Sequence, residues 1–223
     1  MQRKIEAHRQ VVELAWRSAR RAGFTLIELL AVIVILGILS YFLFTNLTGV
    51  LGQVDVSVSK VTAQHISLAL GELTDDTGDF APSALPVELG TPPNMENLGA
   101  EALYVALCAD GKPGFGKFDD HLGNTDDDAL GRKAPGFEVA TLFEICDQWG
   151  NPFAYFHWRD YGREDKYATL QPDSGERLVS GARAQKNPET GNYFEPRGFQ
   201  LISAGADGEF GTDDDIFNFK RAK

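Results

Sequence analysis

Two places in this sequence hold charge where charge needs a reason. The first is Ser203-Ala204-Gly205-Ala206-Asp207-Gly208-Glu209-Phe210-Gly211-Thr212-Asp213-Asp214-Asp215-Ile216, which sets four aspartates within nine residues. Carboxylates so close repel one another unless solvent or a cation lies between them. Gly205, Gly208 and Gly211 let the backbone curl so that carbonyls and carboxylates converge. Calcium takes about six to eight oxygens at roughly 2.3–2.6 Å, and a loop of this kind has them. The plainer alternative is a solvated acidic turn between strands. The second place is Glu28, inside an apolar run. A carboxylate there costs roughly 2.5–3.5 kcal/mol on insertion scales and is functional by default. Nothing else in the run offers a partner. One is therefore expected from another molecule or from a newly made N-terminal amine.

Other candidates are weaker. Asn124-Thr125-Asp126-Asp127-Asp128 fills the first, third and fifth positions of an EF-hand loop, but Ala129 stands at the sixth and Pro135 at the twelfth. The expectation is a solvated loop, with an accessory cation site as the alternative. Two cysteines, Cys108 and Cys146, are too few for a disulfide scaffold or a four-thiolate zinc site. In an oxidising compartment a disulfide between them and two buried thiols both stand. No GxxxxGK[ST], HExxH or GxSxG pattern occurs, and no enzyme is expected. A net charge of −11 argues against a nucleic-acid surface, which needs a basic patch.

The elements that carry these residues divide sharply by charge. Residues 1–23 hold six basic and two acidic side chains, whereas 24–223 hold fifteen basic and thirty acidic. Phe24–Phe44 is a 21-residue apolar stretch. As a helix it spans about 30 Å, enough for a bilayer's hydrocarbon core. Arg17, Arg20 and Arg21 precede it, so the positive-inside rule puts the N-terminus in the cytoplasm and the acidic body outside. On hydropathy alone this is a signal anchor. From residue 45 the helix is expected to continue to about 74, with Val54, Val58, Val61, His65 or Ile66, Ala69 and Leu73 as a packed stripe. Turn chemistry at Asp75–Asp79 ends it. The body, 75–223, reads as a short helix over Asn97–Ala109 with Leu98, Ala102, Val105 and Ala106 facing inward. Short strands follow at Phe153–Trp158, Tyr167–Leu170, Phe199–Ser203 and Ile216–Phe219. Polar insertions are expected at about 110–136 and 163–197. The fold class is α+β, one long helix over a small antiparallel sheet.

Gly23-Phe24-Thr25-Leu26-Ile27-Glu28, after a basic leader and before an apolar run, resembles the processing site of type IV pilins and type II secretion pseudopilins. The resemblance implies a pilin-like fold and cleavage between Gly23 and Phe24 by a prepilin peptidase. It also implies N-methylation of Phe24 and pairing of Glu28 with a neighbour's new amine during assembly. Asp147-Gln148-Trp149-Gly150-Asn151-Pro152 is similar to a segment of the major (G-type) pseudopilin, and Ser203–Ile216 is similar to its calcium loop. By that likeness Asp207 ligates calcium, Asp215 with Asp213 or Asp214 supplies further carboxylates, and a backbone carbonyl near Ala204 contributes. The implied protein is an inner-membrane, single-pass subunit with a periplasmic head. It polymerises with itself into a helical filament, alongside other pseudopilins and an inner-membrane assembly platform, to drive protein export. A type IV or competence pilus subunit is the near alternative. A non-polymerising membrane-anchored calcium-binding domain or enzyme is the distant one.

Overall fold

The computed structural model describes residues 24–172 and 174–221, with backbone alone over 45–51. The expected leader, including Gly23, lies outside them. The chain divides into two compact units, Met1–Val50 and Leu51–Lys223.

Helix α1, Leu26–Thr77, contributes to both. It contains no proline, and its first part is a run of strong helix formers with β-branched residues. In the first unit, Leu26–Phe44 is long and apolar enough to cross a membrane, and its side chains are exposed throughout. At the other end Gly78 takes φ 83° and its N–H donates to the Thr74 carbonyl at 2.8 Å. Only glycine adopts that left-handed turn cheaply, so the helix stops at Thr77, within the turn cluster and a little past the expected end at about 74.

In the second unit the buried stripe of α1 is Ser59, Thr62, Ala63, Ile66, Ala69, Leu70 and Leu73. Ile66, Ala69 and Leu73 are buried as expected, but the first half of the expected stripe is displaced. Val54 and Val61 are nearly half exposed, and His65 is exposed rather than packed in the core. The physical reason lies in the hydroxyls. Thr62 donates to the Val58 carbonyl, and Ser59 accepts from the backbone N–H of Gln148 at 3.1 Å. A hydroxyl with a partner is buried at little cost, and small residues let neighbouring chain approach closely.

That stripe packs into a core with Leu103, Leu107, Phe118, Ile145, Phe153, Tyr155 and Leu201. Helix α2, Leu98–Cys108, buries Gly99 to Tyr104 and Leu107. Of the four residues expected to face inward only Ala102 is fully buried. Strands β1 (Leu122–Gly123) and β2 (Glu144–Ile145) form one short antiparallel pair. Strands β3 (Ala154–His157), β6 (Phe199–Ser203) and β7 (Ile216–Phe217) form the three-stranded sheet in the order β3-β6-β7. Tyr155 faces Leu201, and Ser203 faces Ile216. Strands β4 (Glu164–Leu170) and β5 (Arg177–Arg183) make a seven-pair hairpin.

The architecture is α+β and pilin-like, as expected. The two polar segments are more structured than expected. Residues 110–136 bury Phe118, Leu130 and Ala134, and 163–197 carries the β4–β5 hairpin with Tyr167, Ala168 and Thr169 inside.

Candidate functional site

At the start of α1, Thr25 and Glu28 bond reciprocally. The Thr25 N–H and hydroxyl each donate to Glu28 Oε2 at 2.8 Å, and the Glu28 N–H donates to Thr25 Oγ1 at 3.2 Å. This is a capping box: the first-turn N–H groups that no carbonyl can reach are met by side chains. It corrects the expectation that nothing in the apolar run partners Glu28. The signal was present as T-x-x-E before an apolar helix. Phe24, the expected first mature residue, is exposed beside this cap.

The acidic loop 204–215 is held by the ladder between β6 and β7. Its organiser is Asp214. Asp214 Oδ2 accepts from the N–H groups of Ala206 at 2.7 Å and Asp207 at 3.1 Å, and Oδ1 accepts from the Thr212 hydroxyl. A side chain at Gly205 would meet the Asp214 carboxylate at 2.6 Å, so this glycine is required by space as well as by its φ of 68°. Asp207 Oδ1 accepts from the Glu209 N–H, and Asp215 Oδ2 accepts from the Gly211 N–H. Asp215 Oδ1 is buried without a partner, and burial pushes this carboxyl up to about 6. Asp213 is exposed, and Ala204 is fully buried.

The two body segments that the sequence singles out meet here. Asp147 Oδ1 accepts from the N–H groups of Trp149 and Asn151, closing the 147–152 turn, in which Gly150 takes φ 83°. Asn151 Oδ1 accepts from the Leu170 N–H at 2.8 Å, and the Thr169 hydroxyl donates to the Gly208 carbonyl at 2.6 Å. The 147–152 turn, the end of β4 and the acidic loop are therefore one hydrogen-bonded assembly.

Cys108 and Cys146 are not bonded to each other: both are free thiols, Cys146 fully buried. Cys146 Sγ instead donates to the Glu144 carbonyl at 3.6 Å and lies where a side chain on Gly123 would sit.

The residues that sequence reasoning missed are Glu101 and Glu144. Their carboxylates converge with that of Asp126, with oxygens from all three within 4.8 Å of one another. Asp126 and Asp128 are buried, which overturns the solvated-loop expectation for 124–128. Helix α2 brings Glu101, β2 brings Glu144, and the chain after β1 brings the aspartates. Asn97 fastens the three together. It sits in the left-handed region at φ 52°, and its Nδ2 donates to Glu144 Oε1 at 2.8 Å and Thr125 Oγ1 at 2.9 Å. Its Oδ1 accepts from the Ala168 N–H at 2.9 Å.

Residues 18–40 match the prokaryotic N-terminal methylation motif. The match covers the basic end of the leader, the Gly23-Phe24 junction, the capping box and most of the apolar segment. The chain thus carries the amino-terminal signature of type IV pilin-like proteins, which points to a structural subunit processed by a prepilin peptidase and anchored by one apolar helix. No curated protein and no solved structure matches the chain.

Proposed function

We propose that this chain is a pseudopilin of a type II secretion system, which leaves the bilayer to join a short periplasmic filament that drives protein export. The observation that carries the reading is the methylation motif running into an exposed apolar helix, Leu26–Phe44. Side chains of that kind need lipid or the same segment of other copies around them. Lipid tails are as apolar as leucine, so transfer from bilayer to filament core gains little from the hydrophobic effect. Packing and polar pairing must then direct assembly. Cleavage after Gly23 creates an amine at Phe24, and the Glu28 carboxylate, held at the first turn by Thr25, is the acid it meets on a neighbour.

The choice of a type II system over a pilus rests on the body. The 147–152 turn and the 204–215 loop, both similar to segments of the major pseudopilin, are joined through Ser203, Thr169 and Asn151. The loop suits calcium in its donor chemistry. Asp207, Asp213 and Asp215 with the Ala204 carbonyl are the proposed ligands, and the partnerless Asp215 Oδ1 supports this. Asp214 shapes the backbone around them. Calcium bound there would offset the crowded carboxylates and fix the loop.

Intact mass and N-terminal sequencing of the protein from its native membrane test the class. The expected chain begins at Phe24 with one added methyl group, and a chain that keeps Arg20 and Arg21 overturns the reading. Deleting the gene should stop export of folded proteins. Loss of surface pili or of DNA uptake with export intact would select the pilus alternative.

A further inference from the structure

We propose that Glu101, Asp126, Asp128 and Glu144 form a second, buried calcium site in the body, separate from the 204–215 loop. Glu101 and Glu144 are wholly buried, and Asp126 and Asp128 are 6% and 7% exposed. Oxygens of Glu101, Asp126 and Glu144 lie within 4.8 Å of one another. Among the described residues, none of the eight ion pairs reaches any of the four.

Crowding alone would be a weak argument. The stronger one is the set of atoms left without partners. Both oxygens of Glu101, Asp126 Oδ1 and Asp128 Oδ1 are buried with no hydrogen bond. Buried polar atoms are almost always satisfied, and a group of orphans in one place indicates a missing partner. The other oxygens are occupied and so set the orientation. Glu144 accepts from Asn97 and Thr125, and Asn94 Nδ2 reaches Asp126 Oδ2 at 2.9 Å and Asp128 Oδ2 at 3.4 Å. These neutral donors therefore hold the outer oxygens, while the orphaned ones remain for a common partner.

The donor set selects the ion. All donors are carboxylate oxygens, which suit hard cations and not zinc or copper. Magnesium keeps several waters and is seldom caged by protein alone, whereas calcium accepts many protein oxygens in flexible geometry. One divalent ion halves the formal charge of the cluster. The rival occupant is the proton. Burial and the neighbouring carboxylates raise Glu101 and Glu144, the latter to about 8, so a metal-free cluster would hold protons instead.

The test is calcium stoichiometry by equilibrium dialysis at pH 7.5, using the full chain in detergent after chelator treatment. Glu101→Gln should bind one equivalent fewer than the wild type, while Asp207→Ala retains this equivalent whether or not the C-terminal loop binds calcium. Calcium should raise the melting temperature of Asp207→Ala but lose most of that effect once Glu101→Gln is added. Magnesium at the same concentration should not reproduce the shift. If Glu101→Gln does not fold, Asp126→Asn, on the loop and outside the helix, supplies the same comparison. Equal stoichiometry in wild type and variant overturns the site. So does a Glu101→Gln protein that is more stable than wild type at every calcium concentration, since that identifies a proton-holding cluster. Neither result bears on the 204–215 loop, which Asp207→Ala reports separately.

Discussion

The Ser203 hydroxyl donates to Asp147 Oδ2 at 2.6 Å, joining the last residue of β6 to the first residue of the 147–152 turn. The same hydroxyl accepts from the Gly205 N–H at 3.1 Å, so the turn and the entrance to the acidic loop share one atom. Burial pushes the Asp147 carboxyl up to about 6, against hydrogen bonds from Ser203, Asn151, Trp149 and Gly150 that favour the charge.

A folded-state pKa above the unfolded value of 3.8 means that folding favours the protonated form. The stability contribution of Asp147 is therefore fullest below about pH 4 and is lost as pH rises to about 6, a change of about 3 kcal/mol. Asp147→Asn keeps an acceptor for Trp149 and Asn151 and cannot ionise. The difference in unfolding free energy between variant and wild type, measured by urea denaturation from pH 4 to 7, should move toward the variant as pH rises. A difference that is flat across this range contradicts the assignment.

The cap on α1 separates two roles for Glu28. Glu28→Gln keeps an oxygen for the Thr25 donors but removes the charge, whereas Thr25→Ala keeps the charge and removes the hydroxyl. Thr25→Ala should weaken the first turn by about 1 kcal/mol, read as faster amide exchange over residues 26–29 in micelles. Filament yield should stay near normal in that variant. Glu28→Gln should show the reverse, with ordinary exchange and little filament. If both variants assemble equally well, the carboxylate has no role in pairing.

Asn97 spends both amide donors on Thr125 and Glu144, and its side-chain carbonyl accepts from Ala168. Asn97→Ala strands Glu144 Oε1 and the Ala168 N–H, and at φ 52° alanine lacks asparagine's tolerance of the left-handed region, so a loss of about 3 kcal/mol is expected. Asn97→Gly strands the same groups but tolerates the backbone and should be less damaging by about 1 kcal/mol. Denaturation curves followed by tryptophan fluorescence give both values. Equal losses would show that the backbone conformation costs nothing.

Glycine within a helix is ordinarily improved by alanine, by up to about 1 kcal/mol. Gly99 should reverse that sign. A Cβ there would run into the Tyr155 carbonyl and sit 2.5 Å from the Tyr167 hydroxyl, both fixed in the core. Gly99→Ala should destabilise by at least about 2 kcal/mol. Gly71, in α1 with nothing near its missing Cβ, is the control, and Gly71→Ala should be neutral or stabilising.

The long helix, its stop near Gly78, strands β3, β6 and β7 and the second half of β4 are legible in the sequence, because each depends on a local signal: apolar length, a turn cluster or a β-favouring run; β1, β2 and β5 carry no such run. The first half of the buried stripe was not, although Ile66, Ala69 and Leu73 were. Ser59 and Thr62 read as polar, yet their hydroxyls find partners within reach and go inside. Phe118 shows the same limit from the other side, as one aromatic that anchors a segment whose composition reads as exposed. The Glu101–Glu144 cluster was invisible for a different reason. Its members come from a helix, a strand and a loop, so no spacing template contains them. The EF-hand comparison tested Asp126 and Asp128 only against their own neighbours in sequence.

The exposure of every side chain from Leu26 to Phe44 also fixes how the proposed subunit is supplied. If the segment lies in a bilayer, as proposed, the subunit has no dissolved stage, so its reservoir is a sheet of lipid and its relevant concentration is a number per unit area. Growth then scales with surface density, and crowding by other membrane proteins slows it by occupying area. On the proposed assembly, a subunit that leaves the filament would return to the same sheet for reuse.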